Sequence, residues 1–550
     1  MQHKSSACNV LVFRDGRQEI PTLSLVQSLT TALNSIAPSH HSPEVILNAL
    51  LRAGELECAL ADCDASAGVS SLTDTLAAAL IGFQNGEISA ANLSTLLQGI
   101  QLPQRVIVSR PEGFAYYALH PLDFAALTRT VRLSSSYAAI IGIRSIGTTL
   151  GAVVKAALRQ CGVAAERITV RPSGHPYDRR THFSAGEARW IDAQRSRLAD
   201  FLIVDEGPGL SGSSLLSVGE ALLNRGVEAD RIMFLCSRKP ELSYLCAPNA
   251  TQRWLTFRSC QSGSGENLPP EAKLYAGAGE WRAQLYRDES EWPASWVHME
   301  RLKFFSEDKH LLFKFEGLGQ FGADVHERAC TLAEAGWGPM PEGRQGGFTV
   351  YPMIAGRPLN STDLSKSVVE QLARYCAHRA SRLGAPNSDG TQLEKMARFN
   401  LGQEIGIEPE IEAGGLATAV PVIADGKMQP HEWLLGKDGK LFKIDSVSHG
   451  DDHFFPGPTD IAWDIAGAIL EWEMPTQASD YLVERYQLIS NDDIRSRLPC
   501  FLLAYLAFRL GYCKMAATAL GGSDEEVRLL RDYRRYRALA LEQLPQVVAA

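Results

Sequence analysis

The 550-residue sequence lacks several features that would place it in a special class of protein. It has no internal repeat, no low-complexity tract and no apolar run near the roughly 18 residues of a membrane span. The longest candidate, CFLLAYLAF, ends at Arg509. The opening residues, MQHKSSACNV, lack the apolar segment of a secretory signal. We therefore predict a globular protein of the cytoplasm without a membrane partner.

An excess of positive charge is also missing. The chain has 54 Lys and Arg against 63 Asp and Glu, which gives a net charge of −9, so a broad nucleic-acid-binding surface is not predicted. Among the eleven cysteines, Cys58 and Cys63 have no second pair at zinc-ligand spacing. We interpret the cysteines as reduced thiols and expect small-molecule partners. The sequence does not specify an oligomeric state.

The chain divides into four predicted segments. Residues 1–103 form a helical N-terminal extension, with short amphipathic stretches separated by Pro, Ser and Gly. Residues 104–258 alternate short apolar strands with helices, which predicts a parallel α/β sheet. The Ser-, Gly- and Pro-rich residues 259–297 predict a linker, and residues 298–550 a second domain. The predicted strands of the sheet are RVIVS (105–109), YAAIIGI (137–143), RITVR (167–171), DFLIVD (200–205) and RIMFLCS (231–237).

The most informative string is FLIVDEGPGLSGSSLLSVGEALL, residues 201–223. A strand ends at Asp205 and Glu206, a glycine-rich loop follows, and Ser213 begins a helix whose N–H groups and dipole suit a phosphate. Residues 207–214 fit the Walker A spacing, but Ser213 replaces its lysine. GLSGS approaches a nucleophile elbow without its second glycine. A sugar-phosphate site is the favoured interpretation, and a buried helix-capping turn stays open.

The same string resembles the phosphoribosyl pyrophosphate loop of type I phosphoribosyltransferases, with four residues instead of three between the acids and Ser211. The resemblance implies that Asp205 and Glu206, the predicted catalytic pair, hold the ribose hydroxyls, and that Mg²⁺ bridges them to pyrophosphate. It implies transfer of phosphoribose to an unknown acceptor. The other implied residues are Ser211, Gly212, Ser213 and Ser214 for the 5-phosphate, Arg144 and Gly147 for pyrophosphate, and Arg171, His175 and Arg179 in a mobile loop.

Residues from about 298 to 540 resemble the aminoglycoside phosphotransferase and choline kinase branch of the kinase-like fold. The string FTVYPMIAGRPL (348–359) is similar to the strand and hinge of that branch. The resemblance implies that Lys314 binds the phosphates of ATP and pairs with Glu327, and that Asp445 in KID binds Mg²⁺. The helix PTDIAWDIAGAILEW (458–472) would follow.

The catalytic loop departs from the pattern H-G-D-x-x-P-x-N of this branch. In DGKMQPHEWLL (425–435), Lys427 occupies the catalytic aspartate position and Glu432 the metal-binding asparagine position. A lysine cannot accept the proton of a substrate hydroxyl as a carboxylate does. Two alternatives stay open: Asp425 substitutes in an active phosphotransferase, or the site is degraded and repurposed.

Two further motifs are ambiguous. GLGQFG (317–322) follows Lys314, so we interpret it as a turn from a strand into a helix. In HGDDH (449–453), the side chains of His449, Asp451, Asp452 and His453 suit magnesium or substrate contact, structural salt bridges, or a transition metal.

The sequence thus predicts an α/β protein: a parallel-sheet phosphoribosyltransferase-like domain with a helical N-terminal extension, joined to a C-terminal α+β kinase-like domain. The predicted activity is phosphoribosyl transfer, with phosphoribosyl pyrophosphate, ATP and Mg²⁺ as ligands. The second domain phosphorylates the product or only holds nucleotide. The alternative is a nucleotide-sensing regulatory protein.

Overall fold

The computed structural model describes residues 9–36, 42–65, 68–82, 88–98, 100–209, 211–242, 245–263, 267–385, 390–407, 414–418 and 421–548. The chain forms two compact units. The parallel-sheet unit comprises Arg17–Pro269 and Gly317–Phe321, and the C-terminal unit comprises Met1–Gly16, Pro270–Glu316 and Gly322–Ala550.

The parallel-sheet unit begins with the predicted short helices. These are α1 (Thr22–Asn34), α2 (Pro43–Ala61), α3 (Val69–Leu80) and α4 (Ala90–Leu97). They are flanked by strands β1 (Arg17–Pro21) and β2 (Arg105–Ser109), which pair with each other in antiparallel register. RVIVS was predicted to join the parallel sheet, and that prediction is wrong. Its residues alternate between exposed and more buried positions, as in a strand with one face in solvent.

The central sheet of this unit has five parallel strands in the order β4-β3-β7-β8-β9. Its apolar runs are buried on both faces, as in Phe201–Val204, which explains their continuous hydrophobic character. The elements are α5 (Glu112–Ala115), α6 (Pro121–Thr128), β3 (Tyr137–Ile143), α7 (Ile146–Gln160), β4 (Ala164–Val170), β5 (Ser173–His175), β6 (Asp178–Arg180), α8 (Ala185–Ser196), β7 (Asp200–Val204), α9 (Ser213–Asn224), β8 (Ile232–Cys236), α10 (Ala250–Trp254) and β9 (Arg258–Gln261).

The strand order places a switch point between β3 and β7. The chain runs from β3 outward to β4 and then returns to pair β7 with the other edge of β3. In open α/β sheets, ligands bind outside the carboxyl ends of the strands at such a point. The loops that begin at Arg144 and at Asp205 follow these two strands, so the topology brings both predicted loops to the same edge of the sheet.

The C-terminal unit contains a five-stranded antiparallel sheet, in the order β10-β11-β12-β14-β13, and a three-stranded sheet, β15-β16-β17. Strands are present around Lys314 and at residues 348–352, and the helix Ala462–Glu471 covers most of the predicted helix 458–472. The elements are β10 (Leu274–Tyr275), α11 (Arg282–Leu285), β11 (Lys303–Phe305), β12 (Leu311–Phe315), α12 (Gly319–Glu334), β13 (Gly343–Gln345), β14 (Phe348–Pro352), β15 (Gly356–Pro358), α13 (Lys366–Arg382), α14 (Thr391–Ile405), β16 (Trp433–Gly436), β17 (Leu441–Lys443), α15 (Ala462–Glu471), α16 (Thr476–Ser490), α17 (Leu498–Ala519) and α18 (Asp524–Val548).

Helix α17 forms the centre of the larger core in this unit. By length and composition it is apolar enough to cross a membrane, but two thirds of its most apolar stretch is buried inside the unit. Phe501, Leu503 and Leu506 pack there against α14, α15 and α18. The N-terminal Val12 is buried in the same core, and the ring of Phe13 stacks on those of His453 and Phe454.

The observed division of the chain differs from the predicted segments at two places. Residues 9–16, predicted in the helical extension, belong to the C-terminal unit. The predicted linker 259–297 contains most of β9 and the first elements of the C-terminal unit. Its Ser, Gly and Pro content concealed β9 because RSCQ is a short polar strand at the sheet edge.

Candidate functional site

The first candidate site lies in the C-terminal unit around the strand lysine Lys314. Its side chain is almost fully buried, and its ammonium group contacts three oxygen-bearing residues: Asp445, Ser448 Oγ at 3.0 Å and Glu316 Oε1 at 3.2 Å. Burial lowers the pKa of Lys314, but Asp445 and Glu316 raise it, and the net shift is upward. Lys314 therefore keeps its positive charge.

The predicted partner of Lys314 is wrong. Glu327 is exposed on α12, whereas Glu316 is buried and accepts a hydrogen bond from Tyr351 at 2.7 Å. Glu316 lies two residues beyond Lys314, directly after the end of β12, and this spacing places both side chains on the same side of extended backbone. The alternation in KFE was the signal in the sequence for this pair.

Asp445 is the centre of the charged cluster. It follows β17, as predicted, and has a left-handed backbone with φ of 50°. One carboxylate oxygen contacts Lys314, and the other lies 3.4 Å from Lys427 Nζ and 3.1 Å from His449 Nε2. Burial raises the pKa of Asp445, but Lys314, His449 and Lys427 lower it well below its usual value. Asp445 is thus a carboxylate held between two ammonium groups.

The loop that carries Lys427 is anchored by buried acids. Asp464 accepts hydrogen bonds from the backbone N–H groups of Asp425 (2.8 Å) and Gly426 (3.0 Å). Asp425 accepts one from the backbone of Lys427 at 3.1 Å. Asp425 is fully buried, bonded to Tyr375 and 3.3 Å from Lys443 Nζ. Its position is structural, so it does not supply the missing catalytic carboxylate.

A cavity of about 660 Å³ opens beside this cluster. Glu432, the predicted metal ligand, lines it, and burial together with the nearby carboxylates of Asp445 and Asp425 raises its pKa to about 7, although Lys427 and Lys443 oppose the shift. The cavity floor carries Glu471, which accepts hydrogen bonds from Tyr505 and Tyr536. Further lining residues are Trp281, Tyr286, Trp292, Arg301, Lys303, Lys314, Arg357, Lys427, Asp445, His449 and Arg509.

Several of these lining residues could not be found from motifs. Trp281, Tyr286 and Trp292 belong to the segment predicted as a linker, yet they form part of the cavity wall. Three tryptophans within 16 residues of a Ser- and Pro-containing segment were the available signal, because large aromatic side chains seldom occur in a free linker.

The HGDDH segment forms structural ion pairs. Asp451 receives two hydrogen bonds from Arg328 at 3.1 Å, and Asp452 pairs with Arg301 at 3.3 Å and with His453. His449 instead faces Asp445. Within the described ranges, no group of three or more His, Cys, Asp or Glu side chains could hold a metal ion. Of the three alternatives, salt bridging matches the geometry of the two aspartates.

The predicted magnesium does not fit the donors around Asp445. Mg²⁺ in nucleotide sites is held in near-octahedral geometry by one or two carboxylates, by phosphate oxygens and by water. Both oxygens of Asp445, the first implied ligand, already face ammonium groups, so neither is directed at an open cation position. Two adjacent ammonium charges also repel a divalent cation.

The second candidate site lies in the parallel-sheet unit at the carboxyl end of β7. Burial raises the pKa of Asp205 to about 7, opposed by Arg171 and Arg179. Burial also raises the pKa of Glu206 to about 8, aided by repulsion from Asp205 and Glu112. Both side chains are half-buried, and a pair of adjacent acids with pKa values near neutrality is typical of a functional site.

The serine-rich loop after this acidic pair forms the N-terminus of α9. Gly212 has a left-handed backbone with φ of 71°, and Ser213 and Ser214 begin the helix. The hydroxyl groups of Ser211 and Ser213 donate hydrogen bonds of 2.8 and 2.7 Å to the carbonyl of Pro176. Pro176 lies at the tip of the hairpin β5–β6. Two of the three serine hydroxyls of the predicted phosphate site are therefore engaged by a backbone oxygen.

The arginines predicted to bind pyrophosphate or to close over the site mostly form ion pairs. Arg144 lies 3.2 Å and Arg171 2.5 Å from oxygens of Asp62 on the exposed end of α2. His175 is exposed, and Arg179 donates to the carbonyl of Pro172. Asp62, in the helical extension, was not predicted to contact this region.

Gly147 has a packing role. A Cβ atom at this position would lie 2.4 Å from the carbonyl oxygen of Val204, so only glycine permits the start of α7 to approach the end of β7. Ser145, two residues before Gly147, has φ of 98°, a strained backbone for a residue with a side chain.

Comparisons with known proteins give weak similarity. No family model and no curated protein sequence matches the chain significantly. Among solved structures, choline kinase LicA from Streptococcus pneumoniae is 15% identical, with 44% of this chain and 90% of that chain covered and a TM-score of 0.32. A choline/ethanolamine kinase family protein from Mesorhizobium loti is 17% identical, with 49% and 99% covered and a TM-score of 0.31. Macrolide 2′-phosphotransferase MphH from Brachybacterium faecium is 13% identical, with 46% and 95% covered and a TM-score of 0.30.

Similarity at this level carries no functional argument.

Proposed function

We propose that the C-terminal unit binds ATP as a ligand in the cavity beside Lys314, Lys427 and Asp445. The observation that carries this proposal is the charged cluster itself: two ammonium groups converge on one carboxylate at the wall of a cavity of about 660 Å³. Ammonium groups bind phosphate oxygens through short charge-assisted hydrogen bonds. The volume of the cavity lies in the range of small-molecule binding sites.

The same geometry favours binding over phosphoryl transfer. Lys427 occupies the position of the catalytic aspartate in the kinase-like family that this unit resembles. The neighbouring Asp425 is buried, and its carboxylate contacts Tyr375 and Lys443. A phosphoryl acceptor would thus lack the carboxylate that normally orients its hydroxyl. The proposed role is that of a nucleotide-sensing unit.

Calorimetric titration of the full chain with ATP tests this proposal. We expect saturable binding by the wild type, a loss of at least ten-fold in affinity for Lys314→Ala, and no change for Lys395→Ala, an exposed lysine of the same unit. Thermal unfolding of each variant checks that it is folded. Absence of ATP binding by the wild type would overturn the proposal, and steady ADP release above the buffer rate would overturn the non-catalytic assignment.

A second candidate function belongs to the parallel-sheet unit, and a separate observation favours it. The acidic pair Asp205 and Glu206 and the loop at Arg144 meet at the switch point between β3 and β7, where α/β sheets bind ligands. We infer that this edge binds phosphoribosyl pyrophosphate and transfers its phosphoribosyl group to a small-molecule acceptor. The acids would orient the ribose hydroxyls, and the serines at the start of α9 would hold the 5-phosphate.

Binding at this second site requires the hairpin β5–β6 to move, because Pro176 engages the hydroxyls of Ser211 and Ser213. Pyrophosphate release from phosphoribosyl pyrophosphate measures the activity. We expect it to fall at least ten-fold in Asp205→Asn and to be unchanged in Asp230→Asn, an exposed aspartate of the same unit. Equal release by wild type and Asp205→Asn would refute this role.

A further inference from the structure

The carboxylate of Asp445 is shared between two lysines that come from different parts of the C-terminal unit. Lys314 on β12 contacts one of its oxygens, and Lys427 lies 3.4 Å from the other. In a metal-dependent nucleotide site, the aspartate oxygens would instead face the cation that bridges them to phosphate. The ammonium group of Lys427 therefore lies beside a carboxylate oxygen that would otherwise be free to face such a cation.

The location of Lys427 is determined by its loop. Its backbone N–H donates to Asp425, and the two preceding N–H groups donate to Asp464. The anchored loop leaves the lysine stem as the flexible part. About one third of this side chain is exposed, and Lys427 lines the cavity. The ammonium group can therefore reach a ligand while its backbone stays fixed.

An ammonium group replaces part of the chemistry of a divalent cation. It is a compact, strongly hydrated point charge with three hydrogen-bond donors, and lysine is an established phosphate ligand. It is also tethered to the chain, so it stays beside Asp445 without recruiting the carboxylate oxygens that already face Lys314 and Lys427.

We propose that Lys427 takes the place of the divalent cation, so that this cleft binds the polyphosphate of a nucleotide as the metal-free anion. The proposal rests on the proposed function of the C-terminal unit, because it names the form of ATP that the unit recognises. Lys314 and Lys427 contact the phosphate oxygens from two sides, and Asp445 holds the two ammonium groups apart.

The test is calorimetric titration of the full chain with ATP in two buffers, one containing EDTA and one containing excess MgCl₂. We expect the wild type to bind ATP at least as tightly in EDTA as in MgCl₂. Lys427→Ala should bind at least ten-fold more weakly than the wild type in EDTA. Lys427→Asp, which restores a carboxylate at the position, should bind at least ten-fold more tightly in MgCl₂ than in EDTA. Lys437→Ala, an exposed lysine, serves as the matched control and should behave as the wild type.

Two results would overturn the inference: a wild-type affinity that falls ten-fold or more in EDTA, or Lys427→Ala binding as tightly as the wild type in EDTA. Failure of the proposed function looks different, because the wild type would then bind ATP in neither buffer. Since Lys427 is partly exposed, its variants are expected to fold, and thermal unfolding in both buffers verifies this.

Discussion

The floor of the cavity offers a stability test of the packing around the proposed ATP site. Glu471 is buried and accepts hydrogen bonds from Tyr505 at 2.7 Å, Tyr536 at 2.8 Å and Arg535 at 2.6 Å. Arg509 lies 3.6 Å away. Burial raises the pKa of Glu471, but Arg509, Arg535 and the two tyrosine hydroxyls lower it, and the net shift is downward. The folded protein therefore favours the ionised form.

The change Glu471→Gln keeps the shape of the side chain and removes its charge. Breaking a buried ion pair by neutralising one partner costs about 3–5 kcal/mol. Arg535 is about one third exposed and Arg509 about one sixth, so solvent compensates part of this loss. We expect destabilisation of about 3 kcal/mol, since the new amide group also faces hydroxyl and guanidinium donors.

Urea-induced unfolding followed by tryptophan fluorescence measures this loss. Of the nine tryptophans, all but Trp190 and Trp254 lie in the C-terminal unit, so the signal reports mainly on that unit. Glu473→Gln is the matched control: Glu473 is exposed and lies 3.4 Å from the same Arg535, and its loss should cost less than about 0.5 kcal/mol. If Glu471→Gln unfolds at the same urea concentration as the control, the buried network does not stabilise the floor as described.

The parallel-sheet unit provides three further expectations. Arg167→Ala should destabilise the unit by about 3–5 kcal/mol in urea unfolding, because the almost fully buried guanidinium pairs with Glu57 at 2.7 Å and Asp74 at 2.5 Å; an unchanged midpoint would contradict this. Gly147→Ala should lower the melting temperature more than Gly162→Ala does. A Cβ atom at position 147 would clash with the Val204 carbonyl, whereas one at position 162 meets open space, although position 162 has φ of 82°. Equal melting temperatures of the two variants would refute this packing role of Gly147. The raised pKa values of Asp205 and Glu206, about 7 and 8, mean that the folded state holds protons that the unfolded state releases above about pH 4. Stability should therefore fall as the pH rises from about 4 to 8. The double variant Asp205→Asn, Glu206→Gln should show a shallower fall in melting temperature, and an identical slope would show that the pKa values of these two acids are not raised.

Much of the secondary structure follows from the sequence because burial on both faces leaves a strong signal. The strands at 137–143, 200–204 and 232–236 are continuous apolar runs, and the structure contains each of them. The strand RSCQ at 258–261 carries no such signal, because it lies at an edge and pairs with only one neighbour. RVIVS is apolar enough to resemble a central strand, yet only long-range pairing with residues 17–21 decides its sheet.

Residues of the candidate sites were predictable where a short local motif identified them. Lys314, Asp445 and Lys427 were named from local motifs, and the structure brings them together. Lys314 pairs with Glu316 and not with Glu327, because α12 places the side chain of Glu327 in solvent. The family resemblance did not reveal this orientation. The contact of Pro176 with Ser211 and Ser213 joins residues about 35 positions apart through a backbone carbonyl, and backbone acceptors leave no residue-type signal.

We propose that two lysines of the C-terminal unit hold the phosphates of a nucleotide. A crystal structure of the full chain grown with a non-hydrolysable ATP analogue in EDTA would show these contacts. We expect phosphate oxygens within about 2.7–3.2 Å of the Nζ atoms of both Lys314 and Lys427. An analogue bound with its phosphates away from both lysines, or a cavity that stays empty at saturating analogue, would contradict it.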